Sequence, residues 1–179
     1  MRTGFFRQVL TLLLFGLGLA GMTACRGEEP GTGASRGSAM PAPASAKPLP
    51  PSAFRIEWAP PAIPSVMGVG RSVPVRIELR NAGDTVWPDA KQASSDGRNA
   101  VRLAYRWKDP TGKKVLRDYD NRTDLPKPLP AGESLSLTVD VKTPAEKGRA
   151  LLQVDLVQEG VAWFESKGAA PLVVTVEVQ

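Results

Sequence analysis

Catalysis at a protein surface most often uses cysteine, histidine or paired carboxylates, and this 179-residue chain has one cysteine, Cys25, and no histidine. Ser-His-Asp and Cys-His relays and imidazole metal sites are therefore excluded. The lone cysteine also rules out a disulfide within the chain. Among the carboxylates, Asp155 and Glu159 are the nearest to an acid-base pair. Glycoside hydrolysis wants such groups about 5 to 10 Å apart across a cleft, whereas four residues along a strand span roughly 13 Å. The run Asp118-Tyr-Asp-Asn-Arg-Thr-Asp124 offers oxygen ligands for Ca²⁺. It lacks the central Gly and closing Glu of a calcium loop and holds Arg122, so it reads as a hydrogen-bonded turn. The expectation is a protein with no catalytic residue, metal or cofactor, with a carboxylate-based hydrolase as the lesser alternative.

Binding chemistry is better represented. Tryptophan and tyrosine faces stack on sugar rings and anchor protein interfaces, and the chain has four tryptophans. Tyr105 and Trp107 share a strand phase with Val101 and Leu103, which places them in a core. Trp87, before Pro88, and the adjacent Trp163 and Phe164 are candidate recognition residues. Trp163 and Phe164 fall on opposite sides of a strand, so one of them faces away from whatever the other packs on. A second candidate is the basic hairpin of Arg102, Arg106, Lys108, Lys113, Lys114 and Arg117, with Arg122 nearby; Arg102, Arg106 and Lys108 share the outward phase of one strand and are expected to form a cationic stripe. A charged outer face is also how sandwiches stay soluble and resist edge pairing.

These residues need a scaffold, and the chain divides into three parts. Residues 1–24 begin with Arg2 and Arg7 and continue as an apolar run over 9–20. That run is shorter than the roughly 20 residues a permanent membrane helix needs, and it reads as a cleaved secretory leader. The stretch Met22-Thr23-Ala24-Cys25 resembles the lipobox of bacterial lipoproteins, with Met22 in place of the commoner Leu. The resemblance implies cleavage before Cys25, a diacylglycerol on its sulfur and a fatty acyl chain such as palmitate on its freed amine. Two or more chains make anchoring durable, where one alone is marginal. Arg26 after the cysteine, instead of the Asp that retains enteric-type lipoproteins at the inner membrane, favours the outer membrane.

Residues 25–52 combine repeated Pro, Gly, Ala and Ser with no aromatic residue. Such a segment cannot bury enough apolar surface to offset its ordering entropy, and it is expected to be a disordered linker. Extended at about 3.1 Å per residue it would reach roughly 80 Å. The net charge of +5 falls by the two charges of Arg2 and Arg7 when the leader is lost, and the pI near 9.6 follows from this modest excess. An exported protein seldom meets nucleic acid, so envelope protein, anionic glycan or lipid headgroups are the expected partners of a basic face.

Residues 53–179 read as one all-β domain. Period-two alternation over 73–80, 101–108, 134–141 and 172–178 predicts four half-buried strands, and shorter strands are expected at 54–58, 115–119, 151–157 and 161–164. Asp109-Pro-Thr-Gly112 carries the signature of a type I turn, Pro130-Ala-Gly-Glu133 starts a strand, and Glu159-Gly160 offers a tight reversal. Antiparallel strands at this spacing predict an immunoglobulin-like β-sandwich without a disulfide.

Five blocks sharpen this expectation: Asn81-Ala-Gly-Asp-Thr-Val-Trp-Pro88, Val101-Arg-Leu-Ala-Tyr-Arg-Trp107, Arg122-Thr-Asp-Leu-Pro126, Pro130-Ala-Gly-Glu133 and Asp155 to Phe164. In this order they resemble an Ig-like module that ends some bacterial glycosyltransferases and methyltransferases and also occurs alone in envelope proteins. The Asn-x-Gly-x-x-x-Trp-Pro pattern and the tryptophans Trp58, Trp87, Trp107 and Trp163 are more loosely similar to the four-tryptophan Ig-like domain of selective-autophagy receptors. Both resemblances imply an accessory module with no catalytic residues. The sequence thus predicts an envelope lipoprotein acting as a protein-binding or assembly module, with glycan binding as the alternative.

Overall fold

The computed structural model describes residues 45–118 and 121–179. Cys25, the leader and most of the linker lie outside the described residues, as do Tyr119 and Asp120.

Two sheets form a β-sandwich. The smaller contains β1 (Ile56–Trp58), β3 (Ser72–Asn81) and β7 (Ser134–Lys142), in the order β1-β3-β7. The larger runs β2 (Val66–Met67), β10 (Leu172–Val178), β8 (Gly148–Gln158), β4 (Val101–Lys108), β5 (Val115–Arg117). Two short strands attach to it: β6 (Thr123–Asp124) pairs with β4, and β9 (Ala162–Trp163) with β8. The pairing is antiparallel except at β2, which runs parallel to β10 through Val66 opposite Glu177 and Met67 opposite Val178. The immunoglobulin-like all-β class expected from the alternation is the observed one. β2 and β6 were not foreseen, because two residues are too few to carry a period.

The core lies where the alternation puts it. Val75, Ile77 and Leu79 of β3 and Leu137, Val139 and Val141 of β7 face Leu103, Tyr105 and Trp107 of β4 and Leu152, Val154 and Leu156 of β8, all buried. In place of a disulfide, two aromatic side chains of β4 bond across to the smaller sheet. The Tyr105 hydroxyl donates to the Asp140 carbonyl at 3.3 Å and accepts from the Lys142 N–H at 2.8 Å. The Trp107 indole N–H donates to the Lys142 carbonyl at 2.9 Å. These backbone groups lie on the side of β7 that no strand of its own sheet covers, so the same bonds occupy part of an open edge.

The domain begins earlier than residue 53. Ala46 N–H donates to the Gln92 carbonyl, Leu49 N–H to Oε1 of Gln158, and the Gln158 amide nitrogen to the carbonyls of Lys47 and Asn99. Leu49 is buried, and Pro51–Ala53 form one turn of 3₁₀ helix. The last residues of the proline-rich stretch are therefore a strap held by a buried glutamine. Polyproline-like backbone has no internal hydrogen bonds, and here Gln158 and the Asn99 amide, which donates to the Ala46 carbonyl at 3.0 Å, supply them from outside.

Candidate functional site

The Asn81-to-Pro88 block works locally. The Asn81 amide donates to the carbonyls of Thr85 and Leu129, and its oxygen accepts from the Gly83 N–H. This folds the segment so that Gly83 presses on the Ala53 backbone, where a Cβ would stand 2.6 Å from the Ala53 oxygen. Trp87 is carried inward and is fully buried. Its ring meets Phe164 edge-on at 5.1 Å, and Phe164 meets Phe54 at 4.8 Å. Trp87 and Phe164 therefore offer no face to a ligand. The loop position of Trp87 suggested exposure, but the pull of a large apolar surface toward the strap and the Phe54–Phe164 pair prevails.

Trp163 ends β9, and the chain then turns at Phe164 into the 3₁₀ turn Glu165–Lys167. Trp163 is part-exposed, and the guanidinium of Arg122 lies over its ring at 4.9 Å. Arg122 also donates to Glu159 at 2.8 Å.

The outer face of β4 and β8 holds the predicted stripe, and acids answer most of it. Arg102 pairs with Asp124 at 2.6 Å and lies 3.8 Å from Glu159; Arg106 pairs with Glu165 at 2.9 Å. The 161–168 excursion brings Glu165 over this face, where it also accepts from Gln153 at 2.9 Å. Beneath it Asp155 is fully buried and accepts from the N–H groups of Leu156 and Glu165 at 2.8 and 3.2 Å. Burial pushes the Asp155 carboxyl up to about 6, against the two backbone donors, with the nearby Glu165 charge adding to the rise and Arg106 opposing it. Asp155 and Glu159 thus serve different partners, and a group with no exposed surface meets no dissolved substrate. Among the described residues no group of three or more His, Cys, Asp or Glu is placed to hold a metal ion.

Lys108 differs from its stripe-mates in having no ion pair among the described residues. The basic hairpin expected from the sequence continues through Lys113, Lys114 and Arg117, and the fold sets Lys147 and Arg149 across a groove from it. The Asp109–Gly112 turn forms as expected, with Gly112 N–H donating to the Asp109 carbonyl at 2.9 Å. Its Asp109 carboxylate accepts from Thr111 Oγ1 and from the Lys113 and Lys114 N–H groups, which holds it below the usual carboxylate range. Beyond the turn, β5 and the 144–150 segment line a groove of about 440 Å³. Leu116, Lys147 and Arg149 are the groove residues sequence reasoning missed. They sit in segments some 30 residues apart, and only the sandwich brings them together.

No family model matches the chain, and no curated protein does. Solved structures similar to it include a CARDB domain from Pyrococcus furiosus in complex with di-metal ions, at 15% identity and TM-score 0.41 over 70% of this chain and 84% of that one. Others are a β-glucosidase from Listeria innocua in complex with glucose (16%, TM-score 0.40, 69% of this chain and 16% of the enzyme) and the sporulation control protein Spo0M from Bacillus subtilis (12%, TM-score 0.37, 70% and 49%). These likenesses concern the fold alone.

Proposed function

We propose that the chain is an envelope lipoprotein, anchored through Cys25, whose β-sandwich is a non-enzymatic protein-binding module. The observation that carries this reading is the division of labour among the charged residues. Asp155, Glu159 and Glu165 are engaged by backbone donors or arginines that brace the fold, while exposed cations and aliphatic side chains gather at a sheet edge. A module of this kind fits the Ig-like envelope domains that the sequence blocks resemble. A glycan site would call for an open aromatic face, and the ring of Trp163 is instead covered on one side by Arg122.

Two measurements test it. Mass spectrometry of the membrane-extracted protein should find an N-terminus at Cys25 bearing diacylglycerol and acyl chains, and Cys25→Ser should yield an unprocessed or soluble form. Membrane partitioning unchanged by that substitution would defeat the anchor. Crosslinking in whole cells should recover one stoichiometric envelope protein. Sedimentation with purified cell wall in its place would favour the glycan alternative.

A further inference from the structure

Four features of the β5 edge point the same way. First, β5 ends the larger sheet, and its neighbours Val115 and Leu116 are 40% and 41% exposed. Adjacent strand residues point to opposite sides, so the described residues cover neither side of this edge. Natural edges usually avoid such exposure because it invites strand addition. Second, Lys114, Lys147 and Arg149 around the groove are exposed and have no ion pair among the described residues, in contrast to Arg102, Arg106 and Arg122. Of the two acids among the described residues that line it, Asp109 is engaged by its own turn, leaving Glu146; Glu177 lies beside Arg149 across the β8–β10 ladder. Third, among the described residues no aromatic side chain lines the groove, so they offer no platform for sugar stacking. Fourth, the strap joins the domain beside Gln158 and Asn99, whereas the groove adjoins the other end of the same strand pair. Between the Val101–Gln158 and Lys108–Leu151 pairs lie seven steps, about 23 Å at the rise of a strand.

We propose that this groove takes an extended acidic segment of a partner protein. Its aliphatic side chains, on one side of the extended segment, rest on Leu116, its carboxylates meet Lys114, Lys147 and Arg149, and its backbone runs along the β5 edge. The inference rests on the protein-binding reading above and names its surface and partner chemistry. The unpaired β5 edge, which can hydrogen-bond an extended backbone, sets a partner peptide ahead of a lipid surface.

The full mature chain, labelled with ¹⁵N and held in detergent, is titrated with a ten-residue peptide of alternating Glu and Val, with its Gln-for-Glu counterpart, and with vesicles containing about one-third anionic lipid. Binding of the Glu-Val peptide should be saturable, should weaken with salt, and should move amide signals at 114–117 and 144–150. The pair Lys147→Glu and Arg149→Glu should weaken it at least tenfold, and Leu116→Ser several-fold. Lys91→Glu, on a loop outside the groove, should leave it unchanged. All four positions are exposed, so the variants should keep the wild-type thermal midpoint within a few degrees. Equal affinity for the Gln peptide, signal changes confined to the Trp163 end, or charge reversal without effect would overturn the proposal. Vesicle binding stronger than peptide binding and lost in the same variants would overturn it in favour of lipid headgroups. Peptide binding as expected, with no partner crosslinked in cells, would leave the groove standing and remove the envelope-module reading.

Discussion

The indole N–H of Trp87 donates to the carbonyl oxygen of Ala53 at 2.9 Å, joining residues 34 positions apart. Gly83 makes the contact sterically feasible, because any side chain there would meet the Ala53 backbone. Gly83→Ala is expected to lower stability by about 1–3 kcal/mol through overpacking and to expose the strap. Denaturant midpoints measure the first effect, and protease cleavage within 46–53 reads the second.

Gln158 is buried with both ends of its amide engaged, by Leu49 on one side and Lys47 and Asn99 on the other. Gln158→Leu keeps the bulk but leaves the buried Leu49 N–H without its partner, at about 1–3 kcal/mol. The strap should then become the first segment cleaved, ahead of global unfolding. Cleavage no faster than in the wild type would show that the packing of Leu49 and Ala53 holds the strap unaided.

Tyr105→Phe removes the hydroxyl that bridges Asp140 and Lys142. The expected loss is about 1–2 kcal/mol, with faster hydrogen exchange at the Lys142 amide as the specific sign. An unchanged rate there would show that the β7 edge is protected by other means.

Asp155 binds its proton more tightly in the folded protein, where burial lifts it to about 6, than in the unfolded chain near 3.8. For a carboxyl shifted upward, stability falls as pH rises through the window between these values and is greatest below it. The groups facing it are Glu165, Arg106 and the N–H groups of Leu156 and Glu165. The thermal midpoint of the wild type minus that of Asp155→Asn should therefore be larger at pH 4.5 than at pH 7.5, by the equivalent of about 2 kcal/mol. A difference independent of pH would place the Asp155 proton equilibrium elsewhere.

Arg122→Ala uncovers the Trp163 ring. Acrylamide quenching of the fluorescence should rise, while the change in stability stays within about 1 kcal/mol, since both the stacking and the partly exposed Glu159 pair are weak.

The strands and the core were legible in the sequence because alternation is a local property. Leu103, Tyr105 and Trp107 declare one face of β4 without reference to any partner. Trp163 and Phe164 differ in exposure as the alternation suggests, although the strand ends at Trp163 and Phe164 opens a 3₁₀ turn. The reading of Met22 to Cys25 rests equally on contiguous residues. Tertiary structure decided the rest, because it depends on segments remote in the chain. Burial of Trp87 requires Phe164 and Ala53; neutralisation of Arg102 and Arg106 requires Asp124, Glu159 and Glu165; and the groove requires β5 beside the 144–150 segment. A side chain's periodicity tells which face it occupies, but the charge and cover of that face come from whatever the fold lays against it. The basic stripe therefore shrank to Lys108, and the unpaired cations emerged at the β5 edge.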